Sequence, residues 1–591
     1  MSRCHNIIFD CVLINIEYNF FYRRFSLLGI HRRAIFLWGT EEGWDVLTIE
    51  TLKARYLREG ENDWEDVCER VAKAIATSEE EYLEFRDLMA RKVFLPSSPT
   101  LMNAGIKFGQ LAACFVIPVK DSIEGIFDAL KTAALIQKTG GGTGFDFSKI
   151  QPDGSLSLCT DDDACVPVAL MRLFNEATNV VKHFGRRRGA NMGVLNITHR
   201  DIVSFIRAKQ VEGELSNFNI SVMVPDAFME LIEADGNHEI WNRQTGRTAG
   251  SILSEIVEGI WRNGEPGILF YDRINRDNYT PALGDISATN PCGEEPLLPF
   301  ESCNLGSLNL SFFITEGKVN WDYLRETAEK AVRFLDNEID KNTYPIPEIE
   351  IASKRTRKVG LGVMGFHDML LKLGLPYDSS EALKIAEKVM EQVSWAAVRE
   401  SRKLAAEKGP FPEHSNSTWE LPMRNAALTA VAPTGTISIL AGCSAGIEPV
   451  FSWVYRRTQT MRKEFMLVHP LFEAHFMPKL SDVDYNWLIE HVYMHGTLQN
   501  VENPEIVSEE EKRIFRSALD IDWKAHINVQ AAFQRRCHAG ISKTINMPDY
   551  AGKEDIKQAL IYAWKQGLKG LTIYRTGSRQ RVVLSLKKYG N

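Results

Sequence analysis

The arrangement of short apolar runs between amphipathic segments limits what this 591-residue chain can fold into. Apolar runs at residues 112–119 and 193–197 alternate with helical patterns at 122–137 and 200–209, and the alternation continues to residues 568–575. Runs of this length predict buried strands, and the helical segments between them predict crossover connections. The pattern therefore predicts an α/β fold with mostly parallel strands.

The N-terminal part of the chain follows a different pattern. Residues 45–88 carry apolar positions at three- and four-residue spacing, which is typical of helices, and Pro96 and Pro99 then interrupt the pattern. We interpret residues 1–42 as an extension that is neither a signal peptide nor an anchor, because charged residues interrupt its apolar patches. The predicted division is an extension at 1–42, a helical region at 43–110, one large domain at 111–582 and a tail at 583–591.

Composition argues against several classes of protein. The net charge is -8 and no apolar run approaches the ~20 residues of a membrane span, so we expect neither a nucleic-acid binder nor a membrane protein. The ten cysteines are scattered and form no Cys-x-x-Cys pair, which does not favour a zinc ribbon or a disulfide scaffold. This usage fits the reducing cytoplasm, where a disulfide is transient and catalytic.

The segment Asn290-Pro291-Cys292-Gly293-Glu294 places a cysteine between an amide and a carboxylate. In a strand-like segment, positions i, i+2 and i+4 share one face, so Asn290, Cys292 and Glu294 are expected to point at one ligand. A lone cysteine is more often a small buried apolar residue, and the spacing alone leaves that interpretation open.

A second motif, APTGTISILAGCSAGIEP, spans residues 432–449. Residues 434–438 indicate a glycine-containing turn that opens a helix. Backbone N–H groups and hydroxyls in such a turn can hold phosphate groups, although the same residues can also serve only as a helix cap.

These two motifs, together with TNPCGEEPLLPFESCNLGSLNL at residues 289–310, resemble a ribonucleotide reductase catalytic subunit, most closely the adenosylcobalamin-dependent class. The resemblance covers residues 43–582. It implies an α/β barrel of ten strands, built from two five-stranded parallel halves of opposite direction, with a central finger loop. The activity that it implies is the reduction of ribonucleoside diphosphates to 2′-deoxy products.

The resemblance also implies a role for each catalytic residue. Cys292 is the residue oxidised to a thiyl radical, which removes the hydrogen from C3′ of the ribose. Asn290 would bind the ribose hydroxyls, and Glu294 would act as general base on the 3′-hydroxyl. Cys114 and Cys303 would supply two electrons by closing to a disulfide, which requires Cα atoms within roughly 7 Å. Both cysteines lie in apolar stretches and could instead be core residues.

The family's substrate-binding positions fall in two segments. At residues 97–100 a proline-rich turn without a ligand remains the alternative. The implied substrate-binding residues are Ser98, Thr100, Pro433, Thr434, Gly435, Thr436, Ile437 and Ser438.

A deoxynucleoside triphosphate effector is implied by KDSIEGIFDALK and by RRRGANMG. Asp121 would bind the effector's sugar hydroxyl, while the basic run could instead be a solvated face. The family's effector site lies at a dimer interface, so a homodimer is expected, and a thioredoxin-like reductant would regenerate the cysteine pair. The implied effector residues are Asp121, Ser122, Ile123, Lys182 and Arg188.

Three stretches depart from the family pattern. Residues 158–168 read LCTDDDACVPV where relatives have glycines, and residues 182–185 read KHFG where relatives usually have Lys-Gln-Gly-Gly. Three consecutive carboxylates would repel a nucleotide phosphate, which leaves specificity control open. No cysteine follows Cys537, whereas relatives often carry a C-terminal cysteine pair.

The expected radical source follows from what the C-terminal part of the sequence contains. No Tyr-Tyr pair occurs in the chain, and Tyr574 is preceded by Ile573, so radical transfer from an iron subunit is not indicated. Neither a glycyl radical site nor a cysteine-rich metal site is recognised near the C-terminus. The segments NPCGE and AGCSAGIEP both resemble the cobalamin-dependent class, and this resemblance implies adenosylcobalamin as the cofactor. The alternatives are the same fold driven by a separate iron-radical subunit, or a non-catalytic nucleotide-binding homologue.

Overall fold

The computed structural model of this chain describes residues 41–107, 109–150, 166–183, 187–458, 464–579 and 584–585. Its α-helices are α1 (Glu41–Arg55), α2 (Trp64–Ile75), α3 (Glu79–Ala90), α4 (Ser98–Asn103), α5 (Ile123–Lys138), α6 (Val166–Val180), α7 (Ile202–Arg207), α8 (Asp226–Glu233), α9 (Ala249–Asn263), α10 (Tyr271–Arg276), α11 (Trp321–Lys341), α12 (Pro347–Thr356), α13 (Phe366–Lys372), α14 (Ser380–Lys408), α15 (Ile437–Ala441), α16 (Pro470–Phe476), α17 (Asp482–His495), α18 (Glu509–Ile514), α19 (Trp523–Gln534) and α20 (Lys553–Lys565). Short 3₁₀-helices span Pro281–Leu283, Leu310–Phe313 and His414–Asn416.

The strands lie between these helices. They are β1 (Phe94–Pro96), β2 (Cys114–Val116), β3 (Gly142–Asp146), β4 (Lys182–His183), β5 (Arg187–Arg188), β6 (Asn191–Asn196), β7 (Phe218–Val224), β8 (Ile240–Asn242), β9 (Arg247–Thr248), β10 (Gly267–Phe270), β11 (Ala288–Thr289), β12 (Pro296–Leu297), β13 (Ser302–Asn309), β14 (Ile314–Thr315), β15 (Lys318–Val319), β16 (Val359–Met364), β17 (Val454–Thr458), β18 (Glu464–Val468), β19 (Thr544–Met547), β20 (Gly570–Arg575) and β21 (Leu584–Ser585).

The helical N-terminal part forms where the sequence provides caps as well as apolar spacing. Asp63 accepts a hydrogen bond from the backbone N–H of Asp66 at the start of α2, and Ser78 does the same for Glu81 at the start of α3. Such caps satisfy N–H groups that have no partner inside the helix. The apolar face of α2 packs against the core beneath strand β13, so this part is joined to the barrel.

One half of the barrel consists of the parallel strands β2, β3, β6, β7 and β10. Within it the side chains alternate between the two faces of each strand, as the strand period requires. On β2, Phe115 packs outward under the helices, while Cys114 and Val116 belong to the apolar interior of the barrel.

The other half also runs parallel. Strand β13 pairs with β16, residue Leu361 of β16 bridges to Thr429, Val431 bridges to Ile541, and β19 pairs with β20. Five chain segments therefore lie side by side in this half as well.

Two antiparallel seams close the barrel. Strand β2 pairs with β13, in the register that sets Cys114 opposite Cys303, and β10 pairs with β20. The two parallel halves thus run in opposite directions, which confirms the predicted barrel. Strand β1 adds to the outside of β13. None of the helices described is both long and apolar enough to span a membrane.

Candidate active site

A two-stranded hairpin, β11–β12, carries the finger loop at residues 290–295 into the barrel. Segments of both halves of the barrel contact this hairpin at glycine residues. A β-carbon placed on Gly144 of β3 would lie 1.7 Å from the carbonyl oxygen of Thr289. From the other half, the backbone N–H of Gly540 donates to the carbonyl of Glu294 at 2.7 Å. Glycine is needed at Gly144 because any side chain would overlap the hairpin backbone.

The finger loop turns at the predicted catalytic motif. The backbone N–H of Gly293 donates to the carbonyl of Asn290 at 3.1 Å, and Gly293 has a φ of +82°. Asn290 and Glu294 are buried, whereas Cys292 is exposed. The strand-like face expected for these three residues is therefore wrong, because the chain reverses direction between them.

Cys292 opens onto a cavity of about 790 Å³. It is the exposed cysteine among the six that the structure describes as free thiols. Strands of both halves contribute to the cavity wall, and so does the second motif of the sequence. Besides Cys292, the wall includes Met192, Asn219, Ile268, Gly435, Ser438, Cys443, Glu448, Val450, Phe451, Tyr455, Lys543, Leu571 and Tyr574.

Cys114 and Cys303 face each other across the seam between β2 and β13. Residues directly opposite in an antiparallel pair have Cα atoms about 4.5–5.5 Å apart and side chains on the same face, which is the separation that a disulfide spans. Both are free thiols and fully buried or nearly so. Two cysteines far apart in sequence are thus placed as a pair.

Burial raises the pKa of both thiols well above the ordinary value. For Cys114 the Glu294 and Glu295 carboxylates add to the effect of burial, and for Cys303 the Glu295 carboxylate does. The pair is therefore held in the protonated form, each sulfur keeping its hydrogen until the reaction removes it.

The Asn290 carboxamide fixes one of these thiols. Its Nδ2 donates to Cys114 Sγ at 3.1 Å, and its Oδ1 accepts from the backbone N–H of Glu295 at 3.0 Å. The predicted contact of Asn290 with the ribose remains a prediction.

Glu295 is a site residue that the sequence reasoning missed. It is buried, and its carboxyl lies close to the Cys303 thiol, which donates to the carbonyl of Asn304 at 3.7 Å. Burial raises the pKa of the Glu295 carboxyl to about 8, against the lowering effect of the nearby Cys303 thiol. The only signal in the sequence was a pair of adjacent glutamates, Glu294 and Glu295, in an otherwise apolar stretch.

The predicted phosphate turn reaches the same cavity as Cys292. Gly435 is exposed and, with Ser438, lines the cavity wall. Thr434 has a φ of +50°, and its Oγ1 accepts from the backbone N–H of Gly446 at 2.7 Å. Pro433 and Thr436 are half-buried, and Ile437 is buried as the first residue of α15.

The other predicted substrate segment lies outside the cavity wall. The Ser98 hydroxyl is 2.8 Å from that of Tyr56. Thr100 is fully buried and donates from Oγ1 to the carbonyl of Leu111 at 3.2 Å. Their contact with a substrate stays a prediction.

The predicted effector residues lie at two places along helix α5: three at its start, and Lys182 and Arg188 in a hairpin beside its end, where a β-carbon on Gly189 would lie 3.0 Å from Gln137. Ser122 caps that helix by accepting from the backbone N–H of Gly125 at 3.0 Å, next to Asp121 and the exposed Ile123. Lys182 and Arg188 are register partners in the β4–β5 hairpin, and β4 contacts α5. Residues 158–165 and 184–185 of the departing stretches lie outside the described residues.

Comparisons with known proteins agree with this architecture. A family model described as "Ribonucleotide reductase, barrel domain" matches residues 112–423 and 420–574, and one described as "Ribonucleotide reductase, all-alpha domain" matches residues 44–109. The alpha subunit of the class Id ribonucleotide reductase of Actinobacillus ureae has a similar structure, with a TM-score of 0.74 at 24% identity over 92% of this chain and 99% of that one. That likeness supports the fold.

Two curated relatives are more similar in sequence. The vitamin B12-dependent ribonucleoside-diphosphate reductase of Thermoplasma acidophilum is 47% identical over 511 residues, covering 85% of this chain and 66% of that protein. The protein of the same name from Mycobacterium tuberculosis CDC 1551 is 41% identical over 562 residues, covering 91% of this chain and 80% of that protein. With its barrel and helical region both matched, this chain belongs to the ribonucleotide reductase large-subunit family.

Proposed function

We propose that this chain reduces ribonucleoside diphosphates to 2′-deoxyribonucleoside diphosphates by thiyl-radical chemistry, with adenosylcobalamin as cofactor. The observation that carries the proposal is one cavity that holds Cys292 and the 434–438 turn, with the Cys114–Cys303 pair beside the finger loop. The names of the two curated relatives support the substrate class and the cofactor.

The cavity supports a site for a large organic cofactor next to Cys292. Its volume of about 790 Å³ lies in the upper part of the range for small-molecule sites. Besides Cys292 and residues of the 434–438 turn, its wall includes the apolar side chains of Val450, Phe451 and Tyr455. These residues would lie against the cofactor. When bound, adenosylcobalamin supplies an organic radical through homolysis of its cobalt–carbon bond.

The chain's own residues then divide the reaction between them. Cys292, as a thiyl radical, takes the hydrogen from C3′ and returns one at the end of the cycle. Glu294 accepts the proton of the 3′-hydroxyl as general base. The 2′-hydroxyl leaves as water, and the Cys114 and Cys303 thiols give up two hydrogens, which amount to two electrons and two protons, as their sulfurs join. An external dithiol of the thioredoxin type reduces that disulfide by thiol–disulfide exchange.

Control of specificity is proposed at helix α5. A deoxynucleoside triphosphate would bind at Asp121, Ser122 and Ile123 at the start of that helix, and the hairpin that pairs Lys182 with Arg188 lies beside the other end of the helix. The exposed apolar residues of α5 and α6 support a homodimer at this site. We place the protein in the cytoplasm, where a reducing environment keeps the cysteine pair as thiols.

The experiment that tests the proposal is anaerobic turnover of each ribonucleotide with adenosylcobalamin and dithiothreitol, with and without effectors. We expect deoxyribonucleoside diphosphate to form only when adenosylcobalamin is present, and Cys292→Ser to form none. Cys443→Ser serves as the matched control for removal of a thiol, since Cys443 lines the same cavity and has no part in the proposed reaction. Turnover that needs no cobalamin, or that survives in Cys292→Ser, would contradict the proposal.

A further inference from the structure

The end of helix α1 meets both segments to which the proposed function assigns substrate contacts. Arg55, the last residue of α1, donates from Nη1 to Thr436 Oγ1 at 3.4 Å. The next residue, Tyr56, is fully buried, and its hydroxyl lies 2.8 Å from Ser98 Oγ. Two consecutive residues therefore connect the 434–438 turn with the segment at Ser98.

Helix α1 is held firmly against the turn. Thr48 donates from Oγ1 to the carbonyl of Ile439 at 3.1 Å, and the fully buried Leu47 packs in one apolar cluster with Ile439 and Leu467. The Arg55 side chain is half-buried at the end of this packed helix. Its guanidinium is therefore presented to the turn by a fixed element, which lowers the entropy lost when it binds a ligand.

The hydrogen bond from Arg55 determines whether the Thr436 hydroxyl can donate a hydrogen bond to a ligand. A hydroxyl has two acceptor lone pairs and one donor hydrogen. Because Arg55 donates to one lone pair, the hydroxyl hydrogen turns away from the guanidinium and is left for another acceptor. The exposed Gly435 beside it has no atom within 4 Å of where a β-carbon would lie, so an anionic oxygen has room there.

A diphosphate bound in the cavity needs a cation that is not already paired with a carboxylate of the cavity wall. Lys543 lies 2.6 Å from Glu448, and Arg579 lies 2.8 Å from Glu265, so each of these cavity-wall cations is already matched by a carboxylate. The turn itself, residues 434–438, carries no charged side chain. A guanidinium suits phosphate because its planar donors match phosphate oxygens and its charge strengthens each hydrogen bond.

We infer that Arg55 is the cationic recognition element for the substrate's diphosphate, an inference that rests on the proposed function. Arg55 positions the Thr436 hydroxyl and adds positive charge at the turn. It thereby favours phosphorylated nucleosides over nucleosides without phosphate, and it is a positioning residue that takes no part in the radical steps.

The test compares equilibrium binding of the four ribonucleoside diphosphates, and of the matching nucleosides, to the wild-type chain and to Arg55→Gln by calorimetry. We expect Arg55→Gln to bind the diphosphates about 10-fold more weakly or worse, because a charge-assisted contact is lost. Nucleoside binding should not change, and in turnover KM should rise while kcat stays close to that of the wild type. Arg55→Lys, which keeps the charge, should recover part of the affinity.

Lys53→Gln is the matched control, since Lys53 is an exposed cation on the same helix. It removes the same charge without touching the turn, and wild-type binding is expected. Thr436→Val provides a second route to the result should Arg55→Gln fail to fold, because it removes the bridging hydroxyl and leaves Arg55 in place. Unchanged diphosphate affinity in Arg55→Gln, or in Thr436→Val where Arg55→Gln does not fold, would overturn the role of Arg55 alone. A wild-type chain that binds no ribonucleoside diphosphate would overturn the proposed function together with this inference.

Discussion

Glu295 connects Cys114 and Cys303, the proposed reducing pair, through separate groups of one residue. Its carboxyl contacts the Cys303 thiol, and its backbone N–H donates to the Asn290 carboxamide, which in turn donates to Cys114. The carboxyl fits because Gly360 lies beneath it, since a β-carbon on Gly360 would lie 2.3 Å from Glu295 Oε1. The side chain of Glu295 thus approaches Cys303, and its backbone is linked to Cys114 through Asn290.

The raised pKa of Glu295 predicts that the stability of the folded chain depends on pH. The folded chain keeps this proton to about pH 8, whereas an ordinary glutamate releases it near pH 4.5. Between pH 4.5 and about pH 8 the folded state thus binds more protons than the unfolded state. The free energy of unfolding therefore falls as the pH rises through this range. We expect Glu295→Gln to reduce the drop in unfolding temperature between pH 5 and pH 8, by on the order of 1–2 °C.

Thermal unfolding scans at the two pH values provide the measurement. The exposed Glu420 offers the matched control, since Glu420→Gln removes a carboxylate that solvent already screens. Parallel pH profiles for the wild type and Glu295→Gln would show that the carboxyl is not buried as protonated acid.

At the scale of elements, the finger hairpin shows where a sequence pattern fails. Asn290, Cys292 and Glu294 have strand spacing, yet the strands β11 and β12 end on either side of them and the chain turns at Gly293. A turn inside an apolar stretch depends on the surrounding barrel, which holds the hairpin from both halves. Local spacing singles out candidate residues but does not determine which of them face the cavity.

The hairpin's fit against β3 can be tested by adding one methyl group. Gly144→Ala places a β-carbon 1.7 Å from the Thr289 carbonyl oxygen, and backbone cannot yield as a flexible side chain would. We expect turnover to fall by about 100-fold, because a displacement of Cys292 by roughly 1 Å is enough for such a loss. Rates of deoxyribonucleotide formation measure it.

Gly552→Ala is the matched control, since the nearest atom to its added carbon is 3.6 Å away, at ordinary contact distance. Full activity in Gly144→Ala would mean that the hairpin is free to shift within the barrel.

At the scale of the whole molecule, the sequence predicts the barrel but not the contacts between distant segments. Alternating strands and helices indicate mostly parallel strands, because each crossover returns the chain to the same sheet, and the family resemblance adds their division into two halves of opposite direction. The family resemblance adds the pairing of Cys114 with Cys303. The approach of Arg55 to Thr436 and the burial of Glu295 could not be predicted, since each depends on side chains brought together from separate elements.

An exposed apolar surface on α5 and α6 is expected to form the homodimer interface. Phe127 is 49% exposed and Val180 is 82% exposed, on two helices that contact each other. We expect Phe127→Asp to shift the chain towards the monomer in analytical ultracentrifugation and to weaken the response to effectors, because a buried unpaired charge disfavours the interface.

Val211→Asp, on an exposed residue outside these helices, is the control and should leave the oligomeric state as in the wild type. A wild-type chain that sediments as a monomer at all concentrations, with and without effectors, would contradict the dimer.

The pairing of Cys114 with Cys303 lies on the seam that joins the two halves of the barrel. In the proposed reaction these thiols give up their hydrogens, and the disulfide that forms links covalently two halves that are otherwise held there by strand pairing. Each turnover of the proposed reaction therefore alternates this seam between a disulfide form, which is covalently linked, and a thiol form, which is not. The barrel can open between β2 and β13 only in the thiol form. The reductant that cleaves the disulfide therefore supplies electrons and also allows these two strands to separate.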